Sequence, residues 1–153
     1  MGTNPLLLPI CLAFVALFAS GAQAEPFRLD DLRWKHRVLL VFAPEDSHPH
    51  FKLQLQRWQR AEDGMKERDL VWVPLVAGKP AIVLGMDLSA EVQRSLRSRY
   101  RVSADGFTVI LLGRDGGEKL RRNDPVETLD LFRLIDSMPM RQQEMRRQQR
   151  DDR

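Results

Sequence analysis

The chain has 153 residues, 24 Lys and Arg against 21 Asp and Glu, and one cysteine, Cys11. That length supports a single domain with a real core and leaves too little for two. The net charge of +3 admits an anionic partner such as a lipid head group or acidic polymer, gives nucleic acid little support, and is mild enough to serve solubility alone.

Taken from the start, Leu6 to Ala19 form an unbroken apolar run, followed by Ser20-Gly21-Ala22-Gln23-Ala24. A short apolar stretch ending in Ala-x-Ala reads as a secretory signal peptide over residues 1–24, with cleavage between Ala24 and Glu25. The run falls short of the ~20 residues that cross a bilayer. Export to the periplasm or out of the cell is therefore expected, with no transmembrane span after cleavage. Cys11 lies inside this run, so the expected mature chain is free of thiols and of a CxxC pair. Disulfide exchange and thiolate nucleophiles are closed to it.

Phe27 to Arg37 is a polar lead-in with room for one helical turn. Val38-Leu39-Leu40-Val41-Phe42 is continuous apolar sequence of strand length, the pattern of a strand covered on both faces. Ser47 is the expected helix cap and Pro49 lies in the first turn; Phe51, Leu55 and Trp58 share a face, with Gly64 as the stop. Leu70 to Val76 is a second strand, placed at an edge because Pro74 cannot donate to a ladder. Ala81 to Asp87 reads as a short strand or an extended connection. Ser89 caps a helix carrying Val92, Leu96 and Tyr100. Phe107 to Leu112 is the strongest strand, and the turn Gly113 to Gly117 returns Glu118 to Arg122 as an antiparallel partner. Asp124-Pro125-Val126-Glu127 resembles a capping box, opening a helix with an apolar face of Val126, Leu129, Phe132 and Ile135 that Pro139 stops. Residues 141–153, rich in arginine, read as an exposed basic tail after a domain spanning 25–140.

A parallel β-α-β unit, then a helix, a hairpin and a last helix, is the thioredoxin-type order. The expected fold is α/β and thioredoxin-like, a mixed sheet of at least four strands with helices on both faces. Tyr100-x-Val102, Phe107 to Leu112 and Asp115-Gly116 resemble the stretch around the cis-proline of thioredoxins. Leu32 to Pro44, Ile110 to Arg122 and Leu131 to Arg141 resemble a bacterial exported domain of unknown function, number 4174. That domain is similar to the peroxiredoxin-like domains of sushi-repeat-containing and coiled-coil-domain-containing matrix proteins. The resemblance implies the fold and an exported setting, and no settled activity. The redox parts are missing: Pro44 to His50 has no cysteine, and Phe107, or Gly106 in a shifted alignment, stands at the cis-proline position. A non-proline cis bond costs ~2.5–4 kcal/mol, so a trans peptide is expected there.

Asp46, Ser47 and His50, with Thr108, are the candidates for non-thiol catalysis, because ligands bind outside the carboxyl ends of strands in open α/β sheets. Residues so close in sequence rarely form the spatial chain of a Ser-His-Asp set; the same residue types serve as caps at a helix start. His48 and His50 are spaced i, i+2, which does not put two rings on one helical face, so no metal and no cofactor are expected. Arg97, Arg99, Arg101, Arg121, Arg122, Arg141, Arg146 and Arg147 are the candidates for binding an envelope protein or an anionic surface, set against an ordinary solvated face. The expectation is a non-redox binding or interaction module, the alternative an enzyme using the Asp46 to His50 loop. Trp34, Trp58 and Trp72 are expected as core or half-buried anchors.

Overall fold

The computed structural model describes residues 24–152. The apolar leader, Cys11 and most of the expected signal peptide lie outside the described residues. Four strands form the main sheet in the order β2-β1-β5-β6: β1 is Arg37–Ala43, β2 Leu70–Val76, β5 Thr108–Leu112 and β6 Glu118–Arg122. β1 runs parallel to β2, with Leu40 opposite Val73, and antiparallel to β5, with Leu40 opposite Ile110. β2, the strand carrying Pro74, is at an edge as its missing N–H requires. All seven residues of β1 are buried, which is why this strand is continuously apolar from Val38 onward.

The pleat sends alternate residues to two cores. Val38, Leu40, Phe42, Val73, Leu75 and Ile110 pack beneath Leu96 of helix α3 (Ala90–Arg99), Leu32 of a 3-10 turn over Leu29–Leu32, and Val83 and Leu88 of a small hairpin. That hairpin, β3 (Ala81–Val83) and β4 (Met86–Leu88), occupies the stretch whose sequence left strand and connection open. Ser89 caps α3, its hydroxyl accepting from the Val92 N–H at 3.3 Å. Leu39, Val41, Val109 and Leu111 pack on the other side against Phe51 of α1 (Pro49–Arg60), Met65 of α2 (Glu62–Glu67), and Leu131 and Ile135 of α4 (Thr128–Asp136). Helices thus cover both faces of a four-stranded sheet.

Five expectations need correction. His48, not Ser47, is the residue before α1, and its side chain makes no capping bond; Pro49 occupies the first helical position. Gly64 stops nothing: it lies inside α2, where an added Cβ would come within 2.6 Å of the Phe132 ring, so its lack of a side chain is what lets α2 and α4 approach. The Asp124 to Glu127 capping box is absent, because Val126 is clipped to Gln54 instead. The Val126 N–H donates to Gln54 Oε1 at 2.6 Å, and Gln54 Nε2 donates to the Val126 carbonyl at 3.4 Å. The helix therefore starts at Thr128, rotating its buried side to Leu131 and Ile135 and leaving Leu129 67% exposed. Trp34 is not an anchor: it is 60% exposed, while Trp58 and Trp72 do pack together at 5.3 Å.

The basic tail is the largest correction. Residues Pro139–Asp151 form helix α5, with Pro139 starting it as a first-turn proline instead of ending its predecessor. Arg141 is 1% exposed. It donates to Asp136 Oδ1 at 3.2 Å, to the Glu67 carbonyl at 3.1 Å and to Glu67 Oε1 at 2.5 Å. One turn on, Glu144 accepts from Arg37, itself 1% exposed, at 3.0 Å, and contacts Arg114 at 3.3 Å. Counting apolar residues misses this docking, because α5 is held by ions. Beyond Glu144 the arginines of α5 are exposed.

Candidate functional site

Parallel pairing brings the ends of β1 and β2 together, and antiparallel pairing adds the start of β5. Ala43, Val76 and Thr108 therefore share one end of the sheet, with the start of α1 above them. In the thioredoxin order this is where a redox pair and its facing proline would lie. Here it is an open groove lined by His48, His50, Arg101, Ser103, Phe107 and Asn123, with Thr108 and Arg121. Phe107 is buried, and the peptide before it is trans, as expected for a non-proline residue.

Phe107 organises the groove. The His48 ring lies parallel to it, 5.7 Å between centroids and 2° between planes. His50 meets Phe107 edge-on at 5.4 Å and His48 edge-on at 5.3 Å. Nδ1 of His48 is buried without a hydrogen-bond partner.

The catalytic candidates do not converge. Asp46 turns outward to pair with Lys79, a bond that, with the Ser47 and Asp46 N–H groups, holds its carboxyl below the usual range. Ser47 is exposed. Thr108, 6% exposed, bonds Asn123 through Oγ1 at 3.3 Å. Only His50 and Thr108 line the groove, so Asp46 and Ser47 are not in an acid-base-nucleophile chain with His50. Among the described residues no three His, Cys, Asp or Glu side chains converge as a metal-holding group.

The arginine candidates separate equally clearly. Arg97 points inward, donating to the Ala43 carbonyl at 2.6 Å, to the Leu75 carbonyl at 2.9 Å and to the Ser103 carbonyl at 3.0 Å; it ties together the strand ends and the loop beside the groove. Arg141 is buried in the ion cluster. Arg99 pairs with Asp30 on another face. Arg101, at φ 52°, and Arg121 line the groove, the latter held by Glu118 and the Tyr100 carbonyl. Arg122 is exposed near the Pro125 turn, and Arg146 and Arg147 are exposed on α5. The candidates omitted His48, Phe107 and Asn123. Phe107 standing at the cis-proline position was the available signal for the first two, since α1 must start opposite it.

This geometry defines a thioredoxin-like domain whose redox position is filled by two imidazoles and a phenyl ring. A family model described as "Domain of unknown function (DUF4174)" matches residues 28–144, and the chain belongs to that family. It is 29% identical over 156 residues to human "Sushi repeat-containing protein SRPX2", covering 98% of this chain and 32% of the relative. Human "Sushi repeat-containing protein SRPX" is 30% identical over 128 residues, covering 82% of this chain and 28% of the relative. The chain thus spans about a third of the length of the curated relatives it matches. Among solved structures it is similar to reduced 2-Cys peroxiredoxin of Plasmodium vivax, with TM-score 0.57, 16% identity, and 75% of this chain and 84% of that one covered. Thioredoxin peroxidase I of Plasmodium yoelii gives TM-score 0.56 at 19% identity, covering 75% and 79%. At these identities the likeness shows the fold alone.

Proposed function

We propose that the chain is an exported, non-redox interaction module that binds a partner through the groove of His48, His50, Arg101 and Phe107. The observation that carries this reading is the packing of both imidazoles on Phe107, His48 stacked and His50 edge-on, at the place where the fold family's sulfur chemistry would be. Aromatic faces and an arginine are what recognition surfaces are made of. The outward turn of Asp46 to Lys79 favours binding over the alternative non-thiol enzyme. Export rests on the leader pattern. It is supported by how soon after Ala24 the domain is fixed: the Asp87 N–H donates to the Glu25 carbonyl at 2.6 Å, and the Phe27 N–H to the Asp87 carbonyl at 2.7 Å. An envelope or extracellular protein with an acidic or aromatic element is the partner this groove suits.

Three tests bear on the reading. Insulin reduction and peroxide consumption by residues 25–153 stay at the buffer blank; metal-free turnover overturns the non-redox half. Crosslinking in intact cells yields a discrete adduct that His50→Ala with Arg101→Glu abolishes. An adduct of unchanged yield in that variant removes the groove from the account. N-terminal sequencing of the envelope protein finds Glu25 first, whereas a chain starting at Met1 or Gly2 in the cytoplasm overturns export.

A further inference from the structure

A second cleft lies on the α3 side of the sheet, at the opposite end of β1. Its cavity is about 260 Å³. The floor is apolar: Leu32, Val38 and Leu112 are buried core residues. The rim is polar and consists of the 3-10 turn with Arg33 and His36, the end of α3 with Arg99 and Tyr100, and the turn Gly113 to Gly117.

The acids of this rim are already engaged. Asp115 accepts from Lys119 at 2.8 Å and from the Gly117 N–H at 3.0 Å, and Asp30 faces Arg99 at 3.5 Å. Among the described residues the Arg33 guanidinium has no ion pair or hydrogen-bond partner, its backbone N–H donating to the Asp30 carbonyl, and neither the Tyr100 hydroxyl nor the His36 ring is in a hydrogen bond. Burial also raises the Tyr100 pKa, although the Arg99 charge opposes it, so the hydroxyl stays a donor at neutral pH. The turn leaves room for the arginine. Gly116, at φ +78°, lies under the Arg33 side chain, where an added Cβ would meet Nε at 3.1 Å.

The neighbouring residue is also costly for folding alone. Trp34 is exposed and has left-handed backbone at φ 65°, fixed by its N–H donating to the Arg114 carbonyl at 2.6 Å. A bulky residue in that conformation is uncommon and strained. Its ring lies 6.0 Å from the Arg33 guanidinium carbon, at the side of the cleft.

We propose that this cleft binds a small monocarboxylate with an apolar or aromatic body, the body resting on Leu32, Val38 and Leu112 and the carboxylate meeting Arg33 and the Tyr100 hydroxyl. A free guanidinium beside a donor hydroxyl recognises a carboxylate geometrically, and the apolar floor discriminates against a bare anion. The cavity is below the ~300–1,000 Å³ of sites for drug-sized ligands, which limits the body to about one ring.

The test is an amide-resolved NMR titration of the intact domain with phenylacetate, 2-phenylethanol and acetate. Phenylacetate shifts the amides of Arg33, Tyr100 and Gly113 to Gly117 saturably, with Kd of about 1 mM as expected for a ligand of this size. The neutral alcohol and bodiless acetate each bind about tenfold more weakly, the worth of one charge-assisted bond or of the ring. Arg33→Gln loses about tenfold and Tyr100→Phe about threefold. Arg33 is exposed and unpartnered, so its replacement leaves the fold intact, which the unshifted spectrum of the free variant verifies. No saturation by about 10 mM phenylacetate, equal affinity for the alcohol, or shifts confined to His48, His50 and Phe107 each overturn the proposal.

Discussion

Both ends of the sheet gather charged and polar side chains, and they use them in opposite ways. Where β1 begins, Arg37 and Arg141 are each 1% exposed, and Glu67, Asp136 and Glu144 answer their charges. Where β1 ends, Arg101 is exposed, His48 leaves a ring nitrogen unpartnered and Asp46 turns away. On the α5 side of the first end the charges are paired and structural; at the second end they are open. The contrast teaches that arginine content does not mark a binding surface. What distinguishes Arg141 from Arg101 is whether acids from other elements reach it.

The largest expected effect comes from breaking the satisfied end. Arg141→Ala removes a buried cation from between Glu67 and Asp136 and costs about 3 kcal/mol, since such pairs are worth most when one partner is lost. That corresponds to a fall in melting temperature of roughly 10 °C for a domain of this size. Ending the chain after Arg141 strips Glu144 from Arg37 and destabilises comparably. A melting curve unchanged by either would show that α5 does not dock.

Next in size is Gln54→Ala, which leaves the buried N–H and carbonyl of Val126 unsatisfied and costs ~1–3 kcal/mol by denaturant titration. An effect near zero would show that the Gln54 clip does not set the start of α4.

Acid sharpens the comparison further. Burial pushes the Asp136 carboxyl up, but hydrogen bonds from Arg68 and Arg141 outweigh it and hold the carboxyl below its ordinary value. A carboxylate whose folded pKa is depressed contributes stability that is whole above its unfolded pKa of ~3.9 and is lost as pH falls through the folded value. The melting temperature therefore drops below about pH 4, and Asp136→Asn flattens that limb while lowering the neutral plateau. An acid limb unaltered by the substitution would assign it to other carboxylates.

The smallest effect is at Arg146 and Arg147. Their joint change to Gln shifts stability by less than ~0.5 kcal/mol. It weakens co-sedimentation with anionic vesicles at low salt, an attachment that fades by physiological salt because exposed charges are screened over about 8–10 Å. Salt-insensitive sedimentation would remove the anionic surface as a partner.

The strands were legible because burial on both faces writes an unmistakable signal: Val38 to Phe42 and Phe107 to Leu112 have no polar interruption except Thr108. Pro74 gave the edge for a purely local reason. The start of α4 was illegible because a long-range contact overrides local capping: Gln54 is 72 residues from the Val126 that it clips. The docking of α5 was hidden likewise, since Glu144 and Arg37 are 107 residues apart. At the groove, the absence of sulfur was plain in the sequence. That His48 and His50 would both fold onto Phe107 was not, because i, i+2 spacing at a helix start does not specify ring direction.

A photo-crosslinking residue placed at position 101, with the same residue at position 147 as the reference, tests the contrast between the two ends most directly. In intact cells, position 101 gives a discrete, saturable adduct and position 147 gives none of comparable yield. A discrete adduct at 147 with only uncrosslinked chain at 101 would contradict the account, moving recognition to α5 and leaving the histidine groove without a partner.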